Sequence, residues 1–277
     1  MSDLHKTDIL AQIIDSKRKE LAGLMTPKRS LKRALAESPS GIIAEFKRKS
    51  PSKGWIHADA FPEEVVPAYA KAGAAALSVL TDEEYFGGSL DFIRRVRPLV
   101  DIPILRKDFI IDPYQLYQAR EAGADAVLLI AACLSREDCA ALTAEAHRLG
   151  LEVLLEVHSP EELDYITPDV DVVGVNNRHL GSFVTDVQTS FDMAPLLAQR
   201  ADRNYFSGKF AEKPISAPPS TTPTHATAPI FISESGISDP ATVRALREAG
   251  FHGFLMGENF MKEPDPGAAL ATFIHAL

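Results

Sequence analysis

Short apolar runs rich in β-branched residues alternate with amphipathic segments along most of the chain. Eight runs predict strands, at residues 42–46, 75–80, 104–109, 126–131, 152–157, 172–175, 230–233 and 253–256. Between and after them, polar and apolar residues recur with helical spacing, which predicts helices at 63–72, 90–96, 113–122, 136–149, 160–165, 193–199, 240–249 and 267–276. Apolar strands separated by helices are typical of a parallel sheet covered by helices. We therefore predict an α/β fold with a single (β/α)8 TIM barrel over residues 1–277.

Two segments fall outside this alternation. An amphipathic helix is predicted before the first strand, at residues 3–24. Residues 203–228, before the seventh strand, are rich in Ser, Thr and Pro, a composition that does not pack a core, so we expect a mobile insertion there. A doubly wound open sheet is the structural alternative, but its Gly-x-Gly-x-x-Gly signature does not follow the first strand.

The overall composition argues against several classes of protein and partner. Hydrophobic residues at 45% and charged residues at 24% are usual for a globular enzyme, and no run approaches the roughly twenty apolar residues of a membrane span. A net charge of −9 without a long basic run argues against nucleic acid. The first residues lack a secretory pattern, and Cys133 and Cys139 lack the spacing of zinc ligands. We expect a cytoplasmic protein with no metal site.

Polar residues stand where the predicted strands end, which is where (β/α)8 barrels carry their chemistry. An unpaired buried ion costs on the order of several kcal/mol, so these charges need partners or a polar cavity. The residues are Glu45, Lys47 and Ser50 on strand one, Arg106, Lys107 and Asp108 on strand three, Glu156 on strand five, Asn176, Asn177 and Arg178 on strand six, and Glu234 and Ser235 on strand seven. Their coincidence on five strands predicts one cavity that two lysines and three glutamates face.

Taken singly, these groups have structural explanations as well. Glu45 and Lys47 could form an ion pair inside the barrel mouth, and Lys107 with Asp108 could be a solvated strand end. The agreement between strands favours a site over either explanation.

Other charged residues near the strand ends are left out of the predicted catalytic set. Arg48, Lys49 and Lys53 follow the first strand in a turn rich in Pro, Ser and Gly, so we expect them to be solvated or to order the loop. His158 and His179 are lone histidines without metal-like spacing.

Glycine follows the seventh and eighth strands, at positions where barrels commonly bind phosphate through backbone amides. The backbone N–H groups of Gly236, Gly257 and Glu258 and the hydroxyl of Ser50 are the predicted phosphate contacts. Either glycine could instead be only a turn residue. Because a glycine follows both of these strands, we favour a phosphate site over two unrelated turns.

Six motifs carry a resemblance that runs in barrel order. They are Ile43-Ala-Glu-Phe-Lys-Arg-Lys-Ser-Pro-Ser, Leu80-Thr-Asp-Glu-Glu-Tyr-Phe-Gly-Gly-Ser, Leu105-Arg-Lys-Asp-Phe-Ile-Ile-Asp-Pro-Tyr-Gln, Leu155-Glu-Val, Gly174-Val-Asn-Asn-Arg-His-Leu and Ser233-Glu-Ser-Gly-Ile. Together they resemble the indole-3-glycerol phosphate synthase family of tryptophan biosynthesis, from about Leu10 to Met261. The resemblance implies a barrel whose mouth is covered by an extra N-terminal helix.

The resemblance also implies a carboxy-lyase reaction that needs no cofactor. The substrate would be 1-(2-carboxyphenylamino)-1-deoxyribulose 5-phosphate, which closes to indole-3-glycerol phosphate with loss of carbon dioxide and water. Lys107 would be the acid at the ketone oxygen, while Glu156 and Lys47 would assist loss of the hydroxyl. How acid and base roles divide among these three residues stays open.

The remaining site residues follow from the same resemblance. Glu45, Asn176 and Glu234 would orient the lysines and the substrate hydroxyls, Arg178 would join that network with Ser50 and Ser235, and Leu80, Phe86 and Phe109 would flank the aromatic ring. The phenylalanines could instead be core residues. The partner would be a small phosphorylated substrate, and we expect a monomer or weak homo-oligomer.

Two departures from the family pattern stand out. The segment 203–228 is longer than the corresponding connection, and Glu258 stands where a serine is frequent. We therefore expect the backbone amide of Glu258 to help bind phosphate and its carboxylate to point away.

The sequence leaves other functions open. A different phosphate-binding barrel could be a sugar-phosphate isomerase, or an aldolase with Lys107 as a Schiff-base nucleophile. A barrel without catalysis could serve as a binding or assembly subunit, although the intact set of Lys47, Lys107 and Glu156 argues against that.

Overall fold

The computed structural model describes residues 9–19, 29–179, 181, 184–201 and 228–277. The strands are β1 Ile42–Phe46, β2 Lys49–Ser50, β3 Gly54–Trp55, β4 Ala76–Leu80, β5 Ile104–Lys107, β6 Ala126–Ile130, β7 Glu152–Val157, β8 Val172–Asn176, β9 Ile230–Glu234 and β10 Gly253–Met256. Eight of them form a closed parallel barrel, in the order β1-β10-β9-β8-β7-β6-β5-β4, and β2 pairs with β3 in a small hairpin. The predicted (β/α)8 barrel is confirmed.

The described residues also form ten helices, most of which pack around the outside of the barrel. They are α1 at 9–19, α2 Leu31–Glu37, α3 Pro62–Lys71, α4 Leu90–Val96, α5 Pro113–Ala122, α6 Arg136–Arg148, α7 Gln188–Ala201, α8 Pro240–Glu248, α9 Glu258–Met261 and α10 Pro266–His275, with 3₁₀ turns at Arg97–Leu99, Ala131–Cys133 and Pro160–Tyr165. Residues 160–165 are thus a 3₁₀ turn where we predict a helix, and α7 is longer than the predicted 193–199. Neither α2, α9 nor the β2–β3 hairpin is among the predicted elements.

Side chains alternate along each barrel strand, and this alternation builds the site. A lower layer is apolar and includes Ile43, Ala76, Leu105, Leu154 and Ile232, which belong to one buried cluster. Two residues further along the same strands are Glu45, Ser78, Lys107, Glu156 and Glu234, so the polar layer lies directly above the apolar one. Adjacent strands are in register across this layer, with Glu45 opposite Ser78 and Asn176 opposite Glu234.

Helix α2 closes the lower end of the barrel. Leu31 and Leu35 are fully or almost fully buried in the cluster that forms the apolar layer. The hydroxyl of Ser30 caps the helix by accepting from the Arg33 amide, and the amide of Lys32 donates to a Glu152 carboxylate oxygen at 2.9 Å. The polar layer is therefore open at the opposite end, where the strands finish.

Helix α1 lies apart from the buried core, because every one of residues 9–19 is exposed. Ile9 and Leu10, for example, are 56% and 59% exposed. The expectation that this helix covers the barrel mouth stays a prediction. The insertion expected at 203–228 lies outside the described residues, apart from Ala228, and also stays a prediction.

None of the helices in the described ranges combines the length and the hydropathy that crossing a bilayer requires.

Candidate active site

Glu45 and Lys47 form a buried ion pair at the end of β1. The Nζ of Lys47 lies 2.7 Å from Oε1 of Glu45, and the Ser78 hydroxyl donates to the other carboxylate oxygen at 3.2 Å. Burial disfavours the carboxylate, but Lys47 and Lys107 outweigh that effect and hold the pKa of Glu45 below its usual value. The polar end of the first strand is thus paired, as one structural explanation requires, and both residues also line a cavity.

Lys107 lies among three buried carboxyl groups. Its Nζ is 3.1 Å from Oε2 of Glu156 and 4.0 Å from Oε2 of Glu234. Burial favours the neutral amine, yet the attraction of Glu156, Glu234 and Glu45 is stronger and raises the pKa of Lys107. Lys107 is therefore an ammonium ion at neutral pH, and it is not part of a solvated strand end.

Two side chains from other strand ends donate hydrogen bonds to Glu156, and a histidine lies close to it. Besides Lys107, the side-chain amide of Asn176 donates to its Oε1 at 3.1 Å, and Nε2 of His158 lies 3.2 Å from the same oxygen. Burial opposes ionisation, but the positive charges of Lys107 and His158 lower the pKa of Glu156 well below its usual value. Glu156 is consequently kept as a carboxylate.

The pKa of Glu234 is shifted in the opposite direction from that of Glu156. Its side chain is buried, and its Oε1 has no hydrogen-bond partner in the described part of the chain. Burial, with the nearby negative charge of Glu156, raises the pKa of Glu234 to about 8 in spite of Lys107. The site therefore combines two carboxylates with a carboxyl group that keeps its proton near neutral pH.

His158 belongs to this network, although it is not among the predicted catalytic residues. It bridges Glu156 and Glu162, with Nδ1 at 3.4 Å from Oε2 of Glu162. Burial lowers its affinity for a proton, but the two carboxylates outweigh this and raise the pKa of His158 to about 9. The Glu-x-His-x-x-x-Glu spacing, which places acidic residues two positions before and four after the histidine, is the signal that could have found it.

A cavity of about 380 Å³ opens beside the Glu45–Lys47 pair. Its lining comes from the ends of β1, β9 and β10, the β2–β3 turn, the loop after β8 and helix α9. It comprises Glu45, Lys47, Ser52, Lys53, Arg178, Thr185, Ser235, Gly236, Ile237, Ser238, Leu255, Met256, Gly257, Glu258, Asn259 and Lys262. The predicted phosphate residues Gly236, Gly257 and Glu258 thus meet in one place. The cavity therefore lies where the sequence predicts a phosphate site.

Two glycines let the backbone come close to this cavity. A Cβ at Gly257 would lie 2.8 Å from the Glu45 Cβ, and Gly236 has a φ of 75° with Thr185 Cγ2 2.6 Å from where its Cβ would be. Ser235, next to Gly236, also has a positive φ of 67°. Asn177 holds that turn, since its side-chain amide donates to the Ser235 carbonyl at 3.0 Å. Asn177 is therefore a positioning residue.

Ser50 is buried, and its hydroxyl has no hydrogen-bond partner in the described part of the chain. It does not itself line the cavity, whereas Ser52 and Lys53 of the following turn do. Phosphate binding by Ser50 stays a prediction.

Two charged residues meet beside the cavity, and the expectation that the Glu258 carboxylate points away from phosphate stays a prediction. The Lys53 side chain is 60% exposed, as expected of a solvated residue, and it also lines the cavity and forms an ion pair with Glu258. The Glu258 carboxylate, expected to point away from phosphate, lies between Lys53 and Arg178, whose Nη2 is 3.9 Å from Oε2 of Glu258. By contrast, Arg48 and Lys49 order the loop, because they donate to the carbonyls of Gly87 and Glu84.

Phe86 and Phe109 lie together beside the strand ends. Their ring centroids are 6.2 Å apart and the rings are tilted by 36°. Leu80, at the end of β4, is buried, whereas Phe109 is 45% exposed and is not a core residue. The pair can present an apolar wall to an aromatic group.

Arg106 and Asp108, which flank Lys107, have structural roles. The guanidinium of Arg106 donates to the Gln115 carbonyl at 2.6 Å and to Asp108 Oδ2 at 2.8 Å. Asp108 also accepts from the Thr81 hydroxyl at 2.5 Å. These contacts fix the end of β5 and so the direction of Lys107.

Comparison with known proteins identifies the family. The model of the indole-3-glycerol phosphate synthase family matches residues 5–212 and 220–273. A protein from Bacteroides thetaiotaomicron named indole-3-glycerol phosphate synthase is 54% identical over 285 residues, covering 98% of this chain and 99% of the relative. The chain belongs to the indole-3-glycerol phosphate synthase family. Relatives of the same name from Azoarcus sp. (strain BH72) and Carboxydothermus hydrogenoformans are each 40% identical, over 95% and 89% of this chain and 98% and 84% of their own lengths.

Solved structures outside the family share the fold. Thiamine phosphate pyrophosphorylase from Pyrococcus furiosus has a TM-score of 0.57 at 13% identity, and covers 89% of this chain and 98% of its own. The 3-hexulose-6-phosphate synthase from Salmonella typhimurium has a TM-score of 0.52 at the same identity, over 86% and 98%. At this identity the likeness concerns the barrel alone. The resemblance noted in the six motifs is confirmed by the family match.

Proposed function

We propose that the protein closes 1-(2-carboxyphenylamino)-1-deoxyribulose 5-phosphate to indole-3-glycerol phosphate, with loss of carbon dioxide and water, as a step of tryptophan biosynthesis. The observation that carries the proposal is the position of Lys107, an ammonium ion 3.1 Å from Glu156 and 4.0 Å from Glu234, in a chain of this family. This charge can meet the negative charge that develops on a ketone oxygen.

The first step forms the new carbon–carbon bond. The ring carbon that carries the carboxylate attacks the ketone carbon, and the carbonyl π electrons move to the oxygen, which takes a proton from Lys107. The carbon–carboxylate bond then breaks, carbon dioxide leaves, and its electron pair returns to the ring. A buried ammonium suits the first transfer because it is charged and close to a carboxylate that can receive a proton from substrate later.

The second step removes the new hydroxyl as water. It needs one proton for the leaving oxygen and the loss of another proton from the five-membered ring. We assign this exchange to Lys47 and Glu156, with Glu45 holding Lys47 and Asn176 holding Glu156. Glu234, which keeps its proton below about pH 8, completes the set as a second donor beside Lys107.

The two ends of the substrate have separate places in this proposal. The phosphate lies in the 380 Å³ cavity. There the backbone at Gly236 and Gly257 can approach the phosphate closely, and Arg178 supplies a positive charge. The aromatic ring lies against Leu80, Phe86 and Phe109. A cytoplasmic location and a monomeric or weakly associating state are also part of the proposal, and analytical ultracentrifugation tests the latter.

An aldolase reaction through a Schiff base at Lys107 is disfavoured by electrostatics. A nucleophilic lysine must be a neutral amine, whereas three carboxyl groups raise the pKa of Lys107. Borohydride added with a ketose phosphate should therefore leave Lys107 unlabelled, and a covalent adduct there would refute the acid role.

The direct test mixes the purified protein with the carboxyphenylamino ketose phosphate and follows indole fluorescence. We expect signal from the unmodified protein and a loss of kcat of about 10²- to 10⁴-fold in Lys107→Ala, the usual contribution of a general acid. Lys71→Ala, at an exposed position on α3, is the matched control and should retain full activity. Absence of signal from the unmodified protein would rule the proposal out.

A further inference from the structure

One ion pair spans the mouth of the cavity, between the β2–β3 hairpin and helix α9, which follows β10. Lys53 lies on the turn between β2 and β3, and Glu258 lies at the start of α9, 205 residues later. Oε1 of Glu258 pairs with Lys53, while Oε2 faces Arg178 at 3.9 Å. Each oxygen of this carboxylate thus faces a different cation.

The charges that line the cavity give this carboxylate a distinct place. Of the two lining acids, Glu45 is deep, only 5% exposed, and paired with Lys47 at 2.7 Å. The other cations of the lining are Lys53, Arg178 and Lys262, and Glu258 is the acid among them. Removing Glu258 would leave Lys53, Arg178 and Lys262 without a carboxylate of their own in the lining, since Glu45 is paired with Lys47.

The ionisation of Glu258 agrees with that position. Partial burial disfavours its charge, but Lys53, Lys47 and Arg178 together lower the pKa of Glu258. At neutral pH the cavity therefore holds a protein anion within its group of cations. The Nε of Arg178 is buried and has no hydrogen-bond partner in the described residues, so this guanidinium keeps a donor for a further acceptor.

A phosphate group in the same cavity would need the same cations. This step rests on the proposed function, which places the substrate phosphate there. Two anions that share Lys53 and Arg178 repel one another, so each weakens binding of the other. The Lys53 side chain is 60% exposed and that of Glu258 is 28% exposed, so both can turn towards solvent at small cost.

We propose that Glu258 acts as the resident counter-ion of the phosphate cavity and so limits how tightly the cavity binds phosphate. In the free protein its carboxylate holds Lys53 and faces Arg178, and the substrate phosphate displaces it from both. Free inorganic phosphate must displace the same carboxylate without the contacts that the sugar and the ring supply. Glu258 thereby lowers the affinity of the cavity for phosphate, whether the phosphate is free or part of the substrate.

Calorimetric titration with inorganic phosphate at low ionic strength tests the proposal. Removing the charge in Glu258→Gln should tighten phosphate binding about five- to tenfold, the size expected for one partly exposed charge interaction. Glu258→Ser, which removes the carboxylate and shortens the side chain, should act in the same direction. The increase in phosphate affinity should be smaller at high salt, because salt screens the interaction between exposed charges.

Two further variants distinguish the effect of Glu258 on phosphate affinity from the effect of the protein's net charge and from the contribution of Lys53. Glu263→Gln removes the same charge from an exposed position that does not line the cavity, and should leave phosphate affinity within twofold or so. Lys53→Gln should weaken phosphate binding, and in the double variant with Glu258→Gln part of the gain should be lost, since the two residues are in contact.

The opposite results would overturn the proposal. If Glu258 served to position Lys53 for phosphate, Glu258→Gln and Glu258→Ser would bind phosphate more weakly; unchanged affinity would mean that the pair is a surface contact without effect. Thermal melting of each variant shows whether it is folded. Because the titration needs no turnover, a protein that failed to convert the ketose phosphate would refute the proposed function and leave this result standing.

Discussion

Gly174 on β8 lies directly beneath the carboxyl group of Glu234 on β9. A Cβ at Gly174 would lie 2.0 Å from Oε1 of Glu234, and no such contact is possible without movement. The two strands pair in parallel, so Gly174 supplies the space that Glu234 needs in order to point at Lys107, whose Nζ is 4.0 Å away. The missing side chain is thus part of the site.

Gly174→Ala should therefore damage activity more than stability. The added methyl must push Glu234 away from Lys107, and a displacement of about 1 Å in an active site can cost on the order of a hundredfold in rate. We expect kcat to fall by about that factor, measured by indole fluorescence, with a loss of about 1–3 kcal/mol in the free energy of unfolding.

Gly267→Ala is the matched control for steric strain. Its new methyl would lie 2.6 Å from the Ala68 Cβ, between α10 and α3 and away from the site. It should lower the melting temperature and leave kcat unchanged. Equal losses of kcat in the two variants would show that Gly174 acts through stability alone.

His158 should make stability depend on pH. Its folded-state pKa is raised from 6.5 to about 9 by Glu156 and Glu162 after the opposing effect of burial. A raised pKa means that the folded protein binds the proton more tightly, so the contribution is complete below about pH 6.5 and is lost as the pH rises through about 9. The contribution is at most about 3 kcal/mol.

Urea unfolding of the unmodified protein and of His158→Gln at pH 6 and pH 10 measures that contribution. We expect the variant to be less stable than the unmodified protein at pH 6, and the difference to shrink at pH 10. His252→Gln, at an exposed position, should show no such change. A difference that is the same at both pH values would contradict ionic clamping by His158.

The barrel could be predicted because its strands are buried on both faces and therefore appear as apolar runs with polar ends. Those polar ends identified Glu45, Lys107, Glu156 and Glu234, and the structure places each of them two residues beyond a buried apolar residue, on the same side of its strand. Residues whose role depends on partners distant in sequence were harder. Glu258 meets Lys53 across 205 residues, and no local pattern of either residue predicts that contact.

Short elements escaped prediction for a related reason. Helix α2 has seven residues and buries two of them, Leu31 and Leu35, which is too little periodicity to distinguish a helix from a loop. The two-residue strands β2 and β3 have no alternation to read. Both elements also depend on contacts with the rest of the barrel, since Leu31 and Leu35 pack in the apolar layer and the Lys49 amide donates to the Phe86 carbonyl.

Phe109 should contribute to substrate affinity and little to stability. Its ring is 45% exposed and lies 6.2 Å from the ring of Phe86, so its removal leaves no internal cavity. Since an aromatic pair is worth about 0.5–1.5 kcal/mol, Phe109→Leu should raise KM about two- to tenfold with kcat nearly unchanged.

Steady-state kinetics with the carboxyphenylamino ketose phosphate check this, and Tyr114→Leu is the control. Tyr114 is an exposed aromatic residue at the start of α5, and its replacement should leave KM unchanged. A fall in melting temperature without any change in KM would show that Phe109 packs against the protein and not against the substrate.

The two N-terminal helices should differ sharply in what they contribute to stability. Leu35 on α2 is almost completely buried against the apolar layer at the lower end of the barrel, so Leu35→Ala should lower the free energy of unfolding by about 2–5 kcal/mol. The polar layer lies at the other end, and kcat should be retained below the lowered melting temperature.

Leu10→Ala on α1 removes the same atoms from a side chain that is 59% exposed, so its effect should stay within about 0.5 kcal/mol. Urea unfolding followed by circular dichroism measures both variants. Similar losses in the two would mean that α1 packs on the barrel in solution, as the resemblance to the family implies, and Leu10→Ala should then also change KM because α1 would cover the mouth.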